Sequence, residues 1–209
     1  MKPSLPQHSH EVTVSQMLPA DLSGVVTTHL ESFSGFFLSS LGHRFLFLYY
    51  SGLLASPDQI ACVARDREQR VVGFVAGSAN PRGFYRRLLR RDGFRFLRAS
   101  VAPVLRTPSI VPRIARALLH PSSQPPGEHV AGLFSLGVLP QQQGRGIGRK
   151  LVASFLKEAR NRGCTQVVLT TDKEGNDPVN AFYVASGFVL QQQYVTPEGR
   201  GMNEYCTTI

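Results

Sequence analysis

The sequence predicts a mixed α/β fold in a single domain. The last third of the chain alternates between strand-like and helix-like segments, and a glycine-rich turn joins the first of these strands to its helix. This alternation is typical of α/β architectures. The chain has 209 residues, of which 42% are hydrophobic and 18% charged, so it can bury a core without disulfide bonds.

The N-terminal part predicts a strand, a set of helices and a hairpin. Residues 11–16 alternate between apolar and polar side chains, as a half-buried strand does. Residues 19–32 begin with a proline, which suits an early helical position, and residues 36–55 repeat apolar side chains at helical spacing. We expect one helix in the first stretch and one or two in the second. The apolar runs 60–65 and 71–79 flank a polar turn and predict a hairpin.

An arginine-rich segment at about residues 81–127 interrupts this order. Residues 82–116 contain ten arginines and a single acid, Asp92, so this stretch alone carries the net charge of the whole chain, +9. Its first part predicts an amphipathic helix with arginines on one face and apolar side chains on the other, namely Phe84, Tyr85, Leu88 and Leu89. The prolines that follow are expected to divide the rest into short helical pieces, at Pro103, Pro108 and Pro112.

The last third predicts the most regular part of the fold. A strand at 129–138 leads into the glycine turn, and a helix at 146–161 follows it. Three further predictions are a buried strand at 165–171, a short helix at 177–187, and a closing antiparallel pair of strands at 188–195 and 203–209.

Composition argues against several classes of protein. The three cysteines, Cys62, Cys164 and Cys206, lie far apart in apolar stretches, so we expect buried free thiols and neither a disulfide framework nor a metal site. No apolar run reaches the roughly 18–20 residues that span a bilayer. Residues 1–10 form a polar tail without the apolar core of a secretory signal, so a cytoplasmic protein is expected.

The stretch QQQGRGIGRK predicts a phosphate-binding turn, because unpaired N–H groups at the start of a helix attract anions. A Walker loop does not fit, since Gly144 and Gly148 are one residue too close together and Leu151 follows Lys150. A dinucleotide fingerprint fits weakly, because Arg149 occupies the place of its third glycine. An ordinary glycine-rich turn that binds nothing is the remaining alternative.

Two elements resemble signatures of the GNAT superfamily of acyl-CoA N-acyltransferases. The coenzyme A turn of that superfamily is matched by Gln143, Gly146 and Gly148 between a strand and a helix. Its later signature is matched by Asn176, Tyr183, Gly187 and Phe188. The resemblance covers residues 129–195 strongly and residues 11–79 only through the order of elements, and the insertion has no counterpart in the minimal fold.

The resemblance implies one domain over residues 1–209, with a central, mixed, mostly antiparallel twisted sheet flanked by helices and the helical insertion at about 81–127. It implies transfer of an acetyl group from acetyl-CoA to a primary amine by direct attack in a ternary complex, without a metal, so that positioning does much of the catalytic work. The residues that it assigns to acetyl-CoA are Leu136, Val138, Gln143, Gly144, Arg145, Gly146, Ile147, Gly148, Arg149 and Asn176.

The resemblance also assigns one catalytic residue and leaves another open. Tyr183 stands where the family places the acid that protonates the leaving thiolate. Many relatives use a glutamate as general base, but the corresponding place is near Gly132, which has no side chain. Water, or an amine that arrives neutral, stays an alternative. The early helices often line the acceptor site in this family, and the candidates there are His29, Glu31 and His43.

The role of the arginine-rich segment has two interpretations. In the first, it is a solvated cationic face. In the second, it caps the acceptor site and binds an anionic acceptor, such as an amino sugar or a lipid-linked sugar at a membrane surface. Nucleic acid is less favoured as a partner. A second hypothesis for the whole chain is a non-catalytic acyl-CoA-binding module that contacts anionic membrane or nucleic acid through residues 82–116. The oligomeric state, monomer or homodimer, is open.

Overall fold

The chain folds around one seven-stranded sheet in the order β1-β2-β3-β4-β5-β7-β6. In this computed structural model the described residues are 12–106, 127–197 and 199–209. All neighbouring strands are antiparallel except β4 and β5. The predicted mixed, mostly antiparallel sheet is therefore confirmed. The strands are β1 Thr13–Gln16, β2 Gln59–Arg65, β3 Val71–Ser78, β4 Val130–Val138, β5 Gln166–Asp172, β6 Val189–Val195 and β7 Gly201–Thr208.

Six α-helices flank the sheet in the described part of the chain. They are α1 Leu22–Ser32, α2 Phe37–Ser40, α3 Gly42–Leu54, α4 Phe84–Arg106, α5 Ile147–Asn161 and α6 Asp177–Ala185. Short 3-10 turns precede α1 and α5. The predicted stretch 36–55 is thus two helices, because Gly42 adopts a left-handed φ of +79° between them.

The sheet separates two hydrophobic layers. On one face, α5 and α6 pack through side chains such as Leu151 and Phe155, which are fully buried. On the other face, α1, α3 and the start of α4 cover β2, β3 and β4 through Val25, Leu46 and Phe84. Each helix thus buries one apolar stripe against the sheet, as amphipathic helices do.

A buried ion pair ties the entry of α1 to the sheet. The Arg65 guanidinium on β2 lies 2.7 Å from the Asp21 carboxylate, which also accepts the Leu18 N–H at 2.7 Å. Both charged side chains are more than four-fifths buried, so removal of either partner would leave the other charge unpaired in the interior. The pair holds α1 in register with β2.

The arginine-rich insertion begins with one long, kinked helix, α4, and this corrects the expected division at Pro103. The helix continues past Pro103 to Arg106, and its non-helical residue is Asp92, at φ −124° and ψ 16°. The kink falls at an aspartate followed by Gly93, a pair that favours non-helical backbone. Pro103 lies in the last described turn, where few helical bonds remain to be lost. Pro108 and Pro112 lie outside the described residues.

Helix α4 is anchored by its apolar face, as predicted. Phe84, Leu88 and Phe96 are buried, and the Phe96 ring lies 5.0 Å from that of Phe45 on α3. A Cβ at Gly52 of α3 would overlap with the Leu88 side chain, so the glycine permits the close approach of the two helices. The arginines from Arg86 to Arg98 are exposed.

The three cysteines are free. Cys62 and Cys164 are buried as predicted, whereas Cys206 on β7 is only half-buried, which corrects the expectation for that residue. Burial raises the pKa of Cys62 to about 11, so its thiol stays protonated at neutral pH. Within residues 12–106, 127–197 and 199–209, no helix is long and apolar enough to cross a membrane.

Candidate active site

Strands β4 and β5 pair at one end only. Their parallel pairing stops at Gly132 and its partner Val168. Beyond that point β4 continues beside β3 to Val138, and β5 continues beside β7 to Asp172. The two strands therefore separate, and the edge of β4 that faces β5 loses its strand partner there. We call this opening between residues 133–138 of β4 and 169–172 of β5 the β4–β5 cleft. The predicted donor-contacting residues Leu136 and Val138 lie in it.

A bulge in β4 marks the start of the cleft. Leu133 pairs with Gly77 and Ser135 pairs with Ala76, so Phe134 has no partner of its own on β3. A bulge of this kind bends the strand and increases its local twist. The Phe134 ring packs against Phe84 of α4, at 5.1 Å between centroids, which connects the bulge to the arginine-rich helix.

The glycine turn lies at the far end of β4 and begins α5. Gly144 and Gly146 adopt φ values of +76° and +75°, a left-handed conformation that side chains disfavour, and a Cβ at either position would face open space. The first helical bond of α5 runs from the Lys150 N–H to the Gly146 carbonyl. The N–H groups of Ile147, Gly148 and Arg149 precede it, so they have no partner within the helix and point outward with the positive end of the helix dipole.

Gln143 closes this turn onto the strand. Its Nε2 donates to the Val138 carbonyl at 3.1 Å, and the Ser32 hydroxyl at the end of α1 donates to the same oxygen at 3.0 Å. A carbonyl has two lone pairs, so this one is fully used. The Val138 carbonyl is therefore already engaged within the protein, and the assignment of Val138 and Gln143 to acetyl-CoA stays a prediction.

The other residues of the turn divide into exposed and buried groups. Arg145 and Arg149 are exposed beside the free N–H groups, and Arg145 donates to the Gln142 side chain at 2.9 Å. Ile147 is buried and anchors the helix, so its side chain cannot contact a ligand, although its N–H can. A Cβ at Gly148 would lie 3.2 Å from two ring carbons of Phe182 on α6. Gly148 therefore serves helix packing, a role that the motif alone did not predict.

The second signature forms the start of α6. Asn176 precedes the first residue of the helix, and its carbonyl accepts the N–H groups of Val179 and Asn180 at 3.1 and 3.0 Å. Asn180, which the sequence did not single out, fixes the helix to β5. It accepts the Thr171 hydroxyl at 2.6 Å and donates to the Asp172 carbonyl at 3.1 Å.

Tyr183 lies in an aromatic cluster between α6 and the sheet. Its ring contacts those of Phe182, Phe188 and Tyr205, at 5.2, 5.6 and 6.4 Å between centroids. The residue is 6% exposed, and burial raises the pKa of its phenol well above the ordinary value. The hydroxyl is therefore protonated at every physiological pH, so it is able to donate a proton or a hydrogen bond.

The place expected for a general base holds no carboxylate and has no space for one. A Cβ at Gly132 would lie 3.0 Å from the Pro81 Cβ and 3.0 Å from the Phe134 ring. Pro81, just before α4, thus fills the volume that a side chain at this position would need. The insertion and the glycine at 132 are complementary in space.

Buried polar side chains extend from the helical layer to the cleft. The Tyr50 hydroxyl on α3 lies 2.7 Å from the His29 Nδ1, and the Ser135 side chain on β4 lies close enough to lower the pKa of Tyr50 against the effect of burial. Burial lowers the pKa of His29 to about 4, so the ring is neutral at pH 7, and its Nε2 has no hydrogen-bond partner in the described part of the chain. No sequence pattern singled out Tyr50, because its spacing is that of a core aromatic residue.

The three acceptor-site predictions stay predictions. His29 is 3% exposed, and helix α1 turns it inward, with its ring centroid 4.7 Å from that of Phe33. Glu31 is exposed on the same helix. His43 is exposed on α3 beside a groove of about 420 Å³ between α3 and α4, lined by Arg44, Phe47, Leu48, Phe94, Arg95, Arg98 and Ala99.

No cluster of three or more histidine, cysteine, aspartate or glutamate side chains suited to a metal ion occurs among the residues that the structure describes. The arginines of α4 are partly paired: Arg87 lies 3.6 Å from Asp58, and Asp92 binds Arg91 and Arg95 at 2.7 and 3.3 Å. These exposed pairs contribute little to stability. They show that part of the positive charge of the segment is paired with nearby carboxylates.

The separated strands β4 and β5, the exposed N-terminus of α5 and the aromatic cluster around Tyr183 occur together in this chain. The chain also matches one family model over most of its length. That model is the acetyltransferase (GNAT) family, and it covers residues 26–188. The chain belongs to the GNAT family. The matched range includes both signatures and the insertion that precedes them.

Known proteins support the same assignment at the level of the fold. A mycothiol acetyltransferase from Cellulomonas flavigena is 39% identical over 74 residues, which are 34% of this chain and 21% of that protein. The chain therefore spans about a fifth of that relative's length. A GNAT-family structure from Desulfovibrio desulfuricans has a TM-score of 0.62 at 17% identity, covering 95% of this chain and 99% of the other. PaiA N-acetyltransferase from Thermoplasma acidophilum, in complex with coenzyme A, has a TM-score of 0.59 at 13% identity, covering 95% and 99%.

Proposed function

We propose that this protein transfers an acetyl group from acetyl-CoA to a primary amine, by direct attack in a ternary complex. The observation that carries the proposal is the alignment of two features: the β4–β5 cleft begins at Gly132, and the strand β4 that lines it ends at the exposed N-terminus of α5. A long substrate with an anionic end and an amide-rich arm suits this geometry. The arm would replace the missing β-strand partner, while the pyrophosphate would lie at the helix terminus.

The glycine turn suits the anionic end of acetyl-CoA. Three consecutive N–H groups, at Ile147, Gly148 and Arg149, point outward without partners in the helix, and the open space over Gly146 lets an anion approach the backbone. Arg145 and Arg149 add exposed positive charge beside it. We assign Gly144 to the turn's left-handed backbone and Asn176 to the facing end of α6.

The reaction needs an attack, a stabilised oxyanion and a proton for the leaving sulfur. The amine nitrogen forms a bond to the thioester carbon, the C–S bond breaks, and the amine gives up one proton. We assign stabilisation of the oxyanion to a backbone N–H on the unpaired edge of β4, near Leu136. We assign Tyr183 as donor to the sulfur. Because its pKa lies above that of a thiol, it acts as the C–S bond breaks, through a hydrogen bond and proton donation to the developing thiolate.

The proton of the amine has no carboxylate acceptor at position 132. The side chains of Ser135, Tyr50 and His29 extend to the cleft, but His29 has a pKa of about 4 and Tyr50 is raised well above its ordinary pKa by burial. Both are poor bases at neutral pH. Water, or an amine that enters already neutral, therefore accounts best for the loss of this proton.

Identification of the acceptor requires an assay with a panel of amines. The groove between α3 and α4 carries three arginines, Arg44, Arg95 and Arg98, and suits the anionic part of an acceptor such as an amino sugar phosphate. A thiol-release assay with acetyl-CoA should therefore include amino sugar phosphates, diamines and peptide N-termini. Release of coenzyme A with any amine refutes the alternative of a non-catalytic acyl-CoA-binding module.

Calorimetric titration with acetyl-CoA tests donor binding, and the chain offers a matched control. Gly146 and Gly163 lie at opposite ends of α5, with φ values of +75° and +76° and open space over both. Leucine at either position costs a similar backbone strain of about 1–3 kcal/mol. Only Gly146→Leu should weaken acetyl-CoA binding, by at least about a hundredfold, because two or more hydrogen bonds to a charged group are lost.

The outcomes of that titration are distinct. Binding by the wild type and by Gly163→Leu, with loss only in Gly146→Leu, supports the assignment of the turn. Equal affinities in the two leucine variants would show that the donor lies elsewhere. Absence of any heat of binding for the wild type at hundreds of micromolar acetyl-CoA would refute the proposed function.

A further inference from the structure

Within the described residues, one face of the sheet carries a partly exposed polar surface beside the cleft. On β5 and β7 the side chains directed at α5 and α6 are buried, as Val167, Leu169 and Tyr205 show. Their neighbours point to the opposite face, where they are half-buried or exposed. We call this surface the open sheet face; its members are Val168, Thr170, Asp172, Val189, Gln192, Tyr194, Met202, Glu204 and Cys206.

Three polar side chains form a row across the open sheet face. Glu204 on β7 pairs with Thr170 on β5 and with Gln192 on β6. Directly opposed residues in antiparallel strands have neighbouring side chains on the same face. The Gln192 Nε2 donates to the Glu204 Oε1 at 3.0 Å. The carboxylate is thus held in the middle of the row by an amide, which orients it without neutralising it.

The row lies next to the β4–β5 cleft. The parallel pairing of β4 and β5 ends at Val168, and Thr170 follows two residues later, about 7 Å further along the strand. Glu204 lies one strand further across, at a backbone separation of about 5 Å from Thr170. Gly132 pairs with Val168, and Glu204 pairs with Thr170, which lies two residues after Val168 on β5. Because paired residues, and residues two apart on one strand, lie on the same face of a sheet, all of these positions share one face. The cleft therefore opens directly onto this row.

Glu204 differs from its neighbour Asp172 in its ionic partners. The Asp172 carboxylate accepts two hydrogen bonds from the Arg200 guanidinium, so its charge is already matched. No lysine, arginine or histidine within the described residues lies within ion-pair distance of Glu204. Burial raises the pKa of Tyr194, and the negative charge of Glu204 raises it further, so the phenol beside the carboxylate stays neutral. The row therefore presents a net negative charge on a protein with an excess of +9.

We propose that Glu204 binds the ammonium group of the acceptor at the mouth of the β4–β5 cleft, so that the acceptor is an amine that is protonated in solution. Primary alkylamines resemble the lysine side chain, with a pKa of about 10, and are cationic at pH 7. A half-buried carboxylate with no cationic partner in the described chain attracts such a group and selects against neutral acceptors. Glu204 holds the ammonium group on the face from which it can reach the cleft. The ammonium releases one proton to water before the attack, and the neutral amine then reacts as proposed above. This inference rests on the proposed N-acetyltransferase function and names the part of the site that receives the acceptor.

The test separates acceptor binding from chemistry. With acetyl-CoA as donor, steady-state kinetics are measured for 1,4-diaminobutane and for glucosamine 6-phosphate in the wild type, Glu204→Gln and Glu204→Asp. Glutamine keeps the size of the side chain and can still accept from Gln192. We expect Glu204→Gln to raise KM for both amines at least about tenfold, the loss expected for one charge-assisted hydrogen bond, with kcat changed less than about twofold. Glu204→Asp, which keeps the charge, should raise KM less.

Glu68→Gln is the matched control, because it removes the same charge from the exposed turn between β2 and β3, where Glu68 pairs with Arg70. It should leave KM unchanged. An unchanged KM in Glu204→Gln, or a KM rise of the same size in Glu68→Gln, overturns the inference and leaves the proposed function intact. A Glu204→Gln variant that loses acetyl-CoA affinity in calorimetry also overturns it, since the residue would then belong to the donor site. Failure of the wild type to acetylate any amine overturns the proposed function, and the inference with it.

Discussion

The neutral, buried histidine at position 29 should make the fold sensitive to mild acid. Its ring lies against Phe33 and Phe74 and accepts or donates one hydrogen bond, with Tyr50. Burial lowers the pKa of His29 from 6.5 to about 4. Between these two pH values the unfolded chain binds a proton on this ring and the folded chain does not. Protonation therefore favours unfolding as the pH falls through this window.

The magnitude follows from the shift. About 2.5 pKa units correspond to about 3 kcal/mol of unfolding free energy at roughly 1.4 kcal/mol per unit. This contribution is complete above pH 6.5 and is lost as the pH approaches 4. Because a small domain is stable by only about 5–15 kcal/mol, a loss of this size is easily measured.

Urea denaturation between pH 7 and pH 4 measures the effect, with His29→Gln as the variant. Glutamine can still hydrogen-bond with Tyr50 but does not titrate, so the difference in unfolding free energy between wild type and variant isolates His29 from carboxylates that both proteins share. We expect that difference to shrink by about 3 kcal/mol over the pH range. His43→Gln, an exposed histidine on α3, is the control and should follow the wild type. Parallel stability curves for wild type and His29→Gln would refute the reasoning. If His29→Gln does not fold, NMR titration of the His29 ring in the wild type replaces the comparison. A measured pKa near 6.5 would then refute it.

Two further predictions concern the donor site. Tyr183→Phe should leave acetyl-CoA affinity within about twofold and lower kcat by about 10²–10⁴, the usual contribution of a general acid, and unchanged turnover would contradict that role. Gly148→Ala should lower the unfolding free energy by about 1–3 kcal/mol in chemical denaturation, because the new Cβ lies 3.2 Å from the Phe182 ring. Phe182→Leu in the same chain should recover part of that loss, and a purely additive double-mutant cycle would show that the contact does not matter.

Local sequence patterns predicted most of the elements. Apolar periodicity gave α1, α3 and α5 within a few residues, because each helix buries one stripe whatever its partner is. The hairpin β2–β3 and the pair β6–β7 followed from alternating runs around polar turns. The insertion was predicted less well, since α4 continues through Pro103, where few helical bonds remain to be lost, and kinks at Asp92 instead.

The candidate site was predicted in part. Spacing identified the glycine turn and Tyr183, because a helix N-terminus and its glycines are local features. The inward position of His29, its contact with Tyr50, and the packing of Gly148 against Phe182 join residues that are distant in sequence. No local pattern reports such contacts. Glu204 was likewise recognised as a candidate only from the strand register, which places it beside Thr170 and Gln192.

Residue spacing was enough to predict the type of fold, the turn at residues 143–148, the family signatures and the arginine-bearing face of α4, since each depends on the pattern along one strand or helix. The point at which β4 and β5 separate, and the position of Pro81 in the space beside Gly132, became known only from the folded chain. Strand separation and the exclusion of volume are relations between elements that are distant in sequence. They depend on which surfaces pack together, and no local pattern reports that.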